Sequence, residues 1–241
     1  MRNVPDGRFN TRQITSGIEE RSLALKTISF VREQLPLWRD DPDRPYELSE
    51  DKLTEQLCKY LDAKARTDFP MVRFNHEESQ AASRSVDVST TLMTKGTIGA
   101  RDYTIYDPFL VLECKRLPAP SNDRQREYLS GDNSHKRGGI QRFKLCLHGA
   151  ELDLVAMIAY VQERSTAEWQ KEINGWISDL CASGLDGCTW TADEMLELLH
   201  DDQGAGLGTC RSIHSREGPV TSDIEIRHLW ILMNGNRATL S

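Results

Sequence analysis

Three side chains in two short apolar runs could do chemistry together. The run FLVLECKRL, residues 109–117, ends in Glu113, Cys114 and Lys115, and the run RSVDVSTTL, residues 84–92, places Asp87 between two valines. Side chains alternate faces along a strand, so Glu113 and Lys115 share the face of Phe109 and Val111 while Cys114 projects the other way. Burying a carboxylate or an ammonium alone is expensive, so a strand ending in both needs a partner, a metal ion or water for each. Two acids and one base around one spot are the equipment for holding a divalent cation and activating a water. If Asp87 lies opposite Glu113 in an antiparallel pair, the turn between them centres at about residue 100, inside the glycine-containing segment TKGTIGARDY. The rival acid, Asp107, is about six residues from Glu113, roughly 20 Å along a straight strand, too far to share an ion with it.

The elements that must position these residues are legible in order. Residues 1–13 are polar and turn-rich and read as an arm, and from about Ser16 the apolar spacing predicts an amphipathic helix ending before Pro36. The acidic, proline-containing stretch 40–45 reads as a linker, which sets residues 1–48 apart as an arm and accessory helix from an α/β domain over 49–241. A second helix follows Ser49, its predicted N-cap, with Glu50 and Asp51 in the first turn and Leu53, Leu57, Tyr60 and Leu61 on its apolar face. Glu50 falls on that same face and Glu55 is turned away from it. Residues 69–77 predict a first strand ending near His76, which reads as a surface residue.

Residues 118–133 predict a long polar loop, and 134–148 a helix opening on a glycine pair. LDLVAMIAYV, residues 152–161, is apolar on both faces and predicts a central strand covered on both sides. Two further helices are expected over 166–182 and 191–200, then a turn at DDQGAGLG and a hairpin of strands over 209–216 and 224–233. His214, His228 and Cys210 have no metal-ligand spacing and read as structural.

Asp87 followed by Glu113-Cys114-Lys115 resembles the PD-(D/E)XK nuclease superfamily, the restriction-endonuclease-like fold. The likeness covers the hairpin and, by element order, the chain from about Ser49 to Val161. It departs from the pattern before the first acid, where Val86 stands in place of proline. The resemblance implies an α/β fold with an αβββαβ core, a mixed central sheet flanked by helices, to which this chain adds an N-terminal helix and C-terminal helices and hairpin. It implies a Mg2+- or Mn2+-dependent endonuclease, with DNA the preferred substrate and RNA the alternative. Asp87, Glu113 and the Cys114 backbone carbonyl would be metal ligands, with Glu50 a further acid from the first core helix and Glu55 the fallback. Lys115 would orient or help deprotonate the attacking water and offset charge on the pentavalent phosphate. Gln141 is the polar residue carried over from the helix after the Glu113 strand, although the tyrosine of the longer motif is replaced by Leu145. Small nucleases of this kind serve in bacterial restriction and anti-phage defence, often beside a helicase or ATPase subunit or as homo-oligomers. The rival is a catalytically inactive subunit that keeps the fold to bind nucleic acid or scaffold a complex.

Composition bounds the rest. With 241 residues and a net charge of -7, the chain has room for one good core and is no general polyanion binder. Its basic residues nevertheless gather beside the proposed site, where Arg116, Lys136, Arg137, Arg142 and Lys144 are candidate phosphate contacts. The six cysteines form no CxxC pair, so reduced thiols are expected rather than a zinc knuckle or disulfide framework. No apolar run approaches the roughly 20 residues that span a bilayer, and a cytoplasmic protein without a membrane partner is expected.

Overall fold

The computed structural model describes residues 20–79, 85–131, 138–184 and 187–233. In chain order these form α1 (Glu20–Arg39), α2 (Glu50–Asp68), β1 (Val72–Ser79), β2 (Ser85–Leu92), β3 (Gly96–Ile98), β4 (Arg101–Tyr103), β5 (Leu110–Leu117), α3 (Gly139–Lys144), β6 (Leu154–Val161), α4 (Thr166–Ser183), β7 (Glu197–Asp202), β8 (Leu207–His214) and β9 (Ile224–Leu232). Seven strands make one mixed sheet in the order β1-β2-β5-β6-β9-β8-β7, and β3 and β4 pair separately. The parallel pairs β5–β6 and β6–β9 lie at the centre, with antiparallel pairs to either side. Parallel neighbours need a long crossover connection, and α3 and α4 lie in these two connections.

Period-two alternation divides the sheet into two apolar faces. Along β6, Leu154, Ala156, Ile158 and Tyr160 enter one core with α1 and α2, while Val155, Met157, Ala159 and Val161 enter a second core with α3 and α4. All eight β6 residues are buried, as expected for a strand covered on both faces. The result is a three-layer α/β arrangement. The helix expected as an accessory element is part of the first core: Leu23, Ile28, Val31, Leu35 and Trp38 are buried in it.

Several expected elements differ, each for a physical reason. α1 runs through Pro36 to Arg39, because Leu35 and Trp38 on either side of the proline are buried and Trp38 packs on Tyr160 at 5.7 Å between ring centroids. That packing outweighs a missing backbone hydrogen bond. The helix expected over 134–148 is only α3, six residues long; residues 132–137 lie outside those described. Its N-cap, Gly138, presses so closely on the Ser130 backbone that a Cβ there would come within 2.1 Å of the Ser130 Cα. The loop after β5 is not simply a polar excursion, since Tyr128 and Leu129 are buried in the second core. The helix expected over 191–200 is instead a short turn followed by the edge strand β7, which β8 recruits; the exposed Leu198 and Leu199 imitate a helical face in sequence. The turn near residue 100 contains the β3–β4 hairpin, with Ile98 and Tyr103 buried in the first core.

Candidate functional site

The β2–β5 register sets Val88 opposite Leu112, Ser89 opposite Val111 and Thr90 opposite Leu110. Continuing it one step brings Asp87 level with Glu113. The ladder ends there, and the Asp87 carboxylate takes over as acceptor: Oδ2 receives the Cys114 N–H at 2.6 Å. A side chain that replaces a missing backbone partner is held in a fixed place.

Four oxygen-bearing groups converge on the Lys115 ammonium. Nζ lies 3.1 Å from Glu50 Oε1, 3.0 Å from Glu113 Oε1, 2.9 Å from the Cys114 carbonyl oxygen and 3.9 Å from Asp87 Oδ2. Glu50 comes from the first turn of α2, where the positive end of the helix dipole favours a carboxylate. Its Oε2 accepts the Arg116 N–H at 2.7 Å, so the helix start is tied to the end of β5. Ser49 stands at the N-cap but makes no capping hydrogen bond; instead Glu47 accepts the Leu48 and Ser49 N–H groups. Glu55 points into solvent between Lys52 and Lys59 and is no part of the cluster.

Glu113 is fully buried and held from two further sides. Arg142 Nη1 donates to its Oε1 at 2.7 Å, and His148 Nδ1 meets its Oε2 at 3.1 Å. Burial pushes the Glu113 carboxyl up, but Lys115, His148 and Arg142 together outweigh it and hold the group below the ordinary glutamate value. Asp87 moves the opposite way: burial and the neighbouring Glu113 charge raise it, against the pull of Lys115 and the Cys114 N–H. Burial opposes the charge on Lys115, but Glu113, Asp87 and Glu50 hold its proton well above the ordinary lysine range. Two carboxylates that share the Lys115 ammonium thus have their proton affinities driven apart, a pattern that marks functional sites as well as ion-pair networks. The Cys114 thiol lies in the first core with its pKa raised by burial and Asp87, so it packs and does not react.

The other expected site residues fare differently. Gln141 is buried, and its Oε1 accepts the Gly131 N–H at 2.9 Å; it braces the loop after β5 instead of facing the carboxylates. Lys144 corrects the expectation of a phosphate contact, because its ammonium is fully buried against Glu194, the Ser215 carbonyl and the Trp190 ring. Arg142 spends its charge on Glu113. Arg116 stays half-buried and bonds the Pro118 and Leu48 carbonyls. Lys136 and Arg137 lie outside the described residues. Farther along this basic run, Arg124 pairs with Glu127 and Arg126 with Asp179.

Sequence reasoning did not find His148, and no motif announces it. The turn after α3 delivers it, since the Leu147 and His148 N–H groups both fold back onto the Arg142 carbonyl. Among the described residues none of the six cysteines is in a disulfide, and no helix is long and apolar enough to cross a membrane. Nor do three or more His, Cys, Asp or Glu side chains among them form a ready metal cluster, and the geometry says why: Lys115 stands between the acids at ammonium-to-oxygen distances, and Glu113 has both oxygens engaged. Comparison with protein-family models, curated proteins and solved structures returned no match.

Proposed function

We propose that this chain is a divalent-metal-dependent nuclease that hydrolyses phosphodiester bonds in DNA, built on a restriction-endonuclease-like core. One observation carries the reading: carboxylates from α2, β2 and β5 and one backbone carbonyl gather around a single cationic centre, Lys115 Nζ. These are hard oxygen donors, the kind that Mg2+ and Mn2+ select. The donor set fits such an ion in kind, with the ammonium standing in the position a metal would share. The element order helix, three strands, helix, strand over α2 to β6, with the small β3–β4 hairpin inserted, agrees with the αβββαβ core.

Asp87, Glu113, Glu50 and the Cys114 carbonyl would hold the ion, which when bound would make a water nucleophilic and stabilise charge on the phosphate. The protein's own groups divide the remaining work. Lys115, two residues beyond Glu113, would turn from the carboxylates to the phosphate when an ion takes its position and balance charge there. Asp87, the acid whose proton affinity burial and Glu113 raise in the metal-free site, would give up its proton when an ion binds. Arg142 and His148 keep Glu113 ionised and aimed. Gln141 has no part at the reacting centre.

A second reading, an inactive nuclease-fold subunit that scaffolds a complex, draws on the net charge of -7 and on the pairing of Arg124, Arg126, Arg142 and Lys144 with carboxylates. Purified protein incubated with supercoiled plasmid, linear duplex, single-stranded DNA and RNA, each with Mg2+, Mn2+ or chelator, separates the two. DNA cleavage that requires metal and stops with chelator supports the nuclease. No cleavage of any substrate, together with no metal-dependent change in melting temperature, overturns it and leaves the scaffold.

A further inference from the structure

On the sheet face that carries α3 and α4, a row of buried polar groups takes no part in the carboxylate cluster. Trp230 Nε1 donates to the Tyr128 hydroxyl at 2.8 Å, and that hydroxyl lies 2.7 Å from His228 Nδ1. His228 Nε2 is 2.8 Å from Ser212 Oγ, which is 2.7 Å from His214 Nε2. His214 Nδ1 faces Glu194 Oε2 at 3.4 Å, and Glu194 Oε1 receives the Lys144 ammonium. All seven side chains are buried. The His214–Glu194 step is a charge–dipole contact and not a hydrogen bond, since neither of its two atoms has a hydrogen-bond partner.

The Trp230 end dictates the direction, and the carboxylate at the other end agrees with it. An indole N–H can only donate, so the Tyr128 oxygen accepts from Trp230 and must place its own proton on His228 Nδ1. His228 then carries its hydrogen on Nε2 and donates to Ser212, whose proton goes to His214 Nε2. His214 is left with Nδ1–H, facing a carboxylate that can only accept. Any reversal strands a buried donor or sets two acceptors face to face, at about 1–3 kcal/mol each. Burial lowers the pKa of both histidines, in keeping with neutral rings, while Glu194 pulls that of His214 partly back.

The far end of the row reaches the site. Lys144 closes α3, and the turn that begins in this helix carries both groups gripping Glu113, Arg142 and His148. The Lys144 carbonyl also accepts the Glu217 N–H at 2.7 Å, so side chain and backbone both pin the end of the helix. We propose that the row from Trp230 to His214 is a one-way hydrogen-bond relay, with His228 as the Nε2–H and His214 as the Nδ1–H tautomer, and that its electrostatic contact with Glu194, which holds Lys144, positions the Arg142–His148 grip on Glu113. Lys144 and His214 are then positioning residues. Their bearing on catalysis rests on the nuclease reading, whereas the proton order and the effect on His148 do not.

Nitrogen-15 NMR of the labelled full-length chain in chelator tests this without substrate. The wild type shows the stated tautomers, and Tyr128→Phe moves the imidazole nitrogens of His214, which Tyr128 does not touch. Lys144→Met shifts the His148 Nδ1 resonance and Lys144→Arg restores it; if Lys144→Met does not fold, the isosteric Glu194→Gln carries the same test. His214 found as the Nε2–H tautomer, or unmoved by Tyr128→Phe, overturns the relay, and an unmoved His148 overturns the positioning role. With Mg2+ and DNA, Lys144→Met lowers kcat about tenfold, some 1.4 kcal/mol, with KM unchanged; a rise in KM alone overturns the positioning role. A wild type that passes the NMR tests but cleaves nothing upholds the relay and refutes the nuclease. One that cleaves DNA but fails them refutes the relay alone.

Discussion

On the proposed nuclease reading Lys115→Met is the most informative single change, because the ammonium holds three carboxylates together at the position the ion would share. It is 5% exposed and lies within 4 Å of three carboxylates. Removing one partner of a buried pair costs about 3–5 kcal/mol. Glu113 retains Arg142 and His148, which places this loss at the low end, about 3 kcal/mol. For a chain of this size that is roughly 6–12 °C in melting temperature, within the usual stability of about 5–15 kcal/mol, so the fold survives. The variant's carboxylates then lack their cation, and Mg2+ supplies one: at about 100-fold over its Kd a ligand returns about 2.7 kcal/mol. Scanning calorimetry in chelator and in Mg2+ should therefore show a low-melting variant that metal restores toward the wild type, with a larger metal-dependent rise than the wild type's. Turnover on DNA should fall about 100-fold or more even when metal is saturating, about 2.7 kcal/mol of lost transition-state stabilisation. Cleavage at the wild-type rate, or a metal-dependent rise no larger than in the wild type, would refute the reasoning.

Glu50→Gln should lower metal-dependent cleavage about tenfold or more, while Glu55→Gln, whose carboxylate pairs only with Lys52 and Lys59, should leave it within about twofold; equal losses would remove Glu50 from the site. Gly138→Ala should cost about 3 kcal/mol or more in urea unfolding, since the Ser130 backbone leaves no room for a Cβ, and an unchanged midpoint would count against that close approach. Acid should destabilise the protein through its buried histidines. His214 and His228 have folded pKa values below the ordinary 6.5, so the unfolded chain binds protons first, and stability falls as pH drops below about 6.5. Glu194, held low by His214 and Lys144 against burial, adds to the loss below about 4.5. Denaturation midpoints measured from pH 8 to 4 should decline through that range, and the decline above pH 5 should shrink in His228→Gln.

The site was legible where it depended on spacing within and between neighbouring strands. Alternation put Glu113 and Lys115 on one face, the antiparallel register brought Asp87 level with Glu113, and helical periodicity picked Glu50 over Glu55. Each is a short-range rule with a fixed repeat. Gln141 and Lys144 were misjudged because α3 is one short turn whose orientation is set by what it packs on. Residue type could not show that Lys144 turns inward to Glu194, fifty residues later in the chain. His148 had no signal at all, since a lone histidine in a turn acquires a role only from the carboxylate that the fold brings to it.

By itself, the sequence determined the sheet-forming runs, the burial of β6 on both faces and the meeting of two acids and a lysine at a strand end. All of these follow from repeats of two and 3.6 residues and from the cost of stranding a charge. Only the tertiary structure decided that α1 passes through Pro36, that residues 197–202 join the sheet edge instead of a helix, and that Arg142 and His148 clamp Glu113. It alone strung Trp230, Tyr128, His228, Ser212 and His214 into one row. In each case the deciding energy comes from groups distant in the chain, buried together where most polar atoms take a partner from whatever the packing supplies.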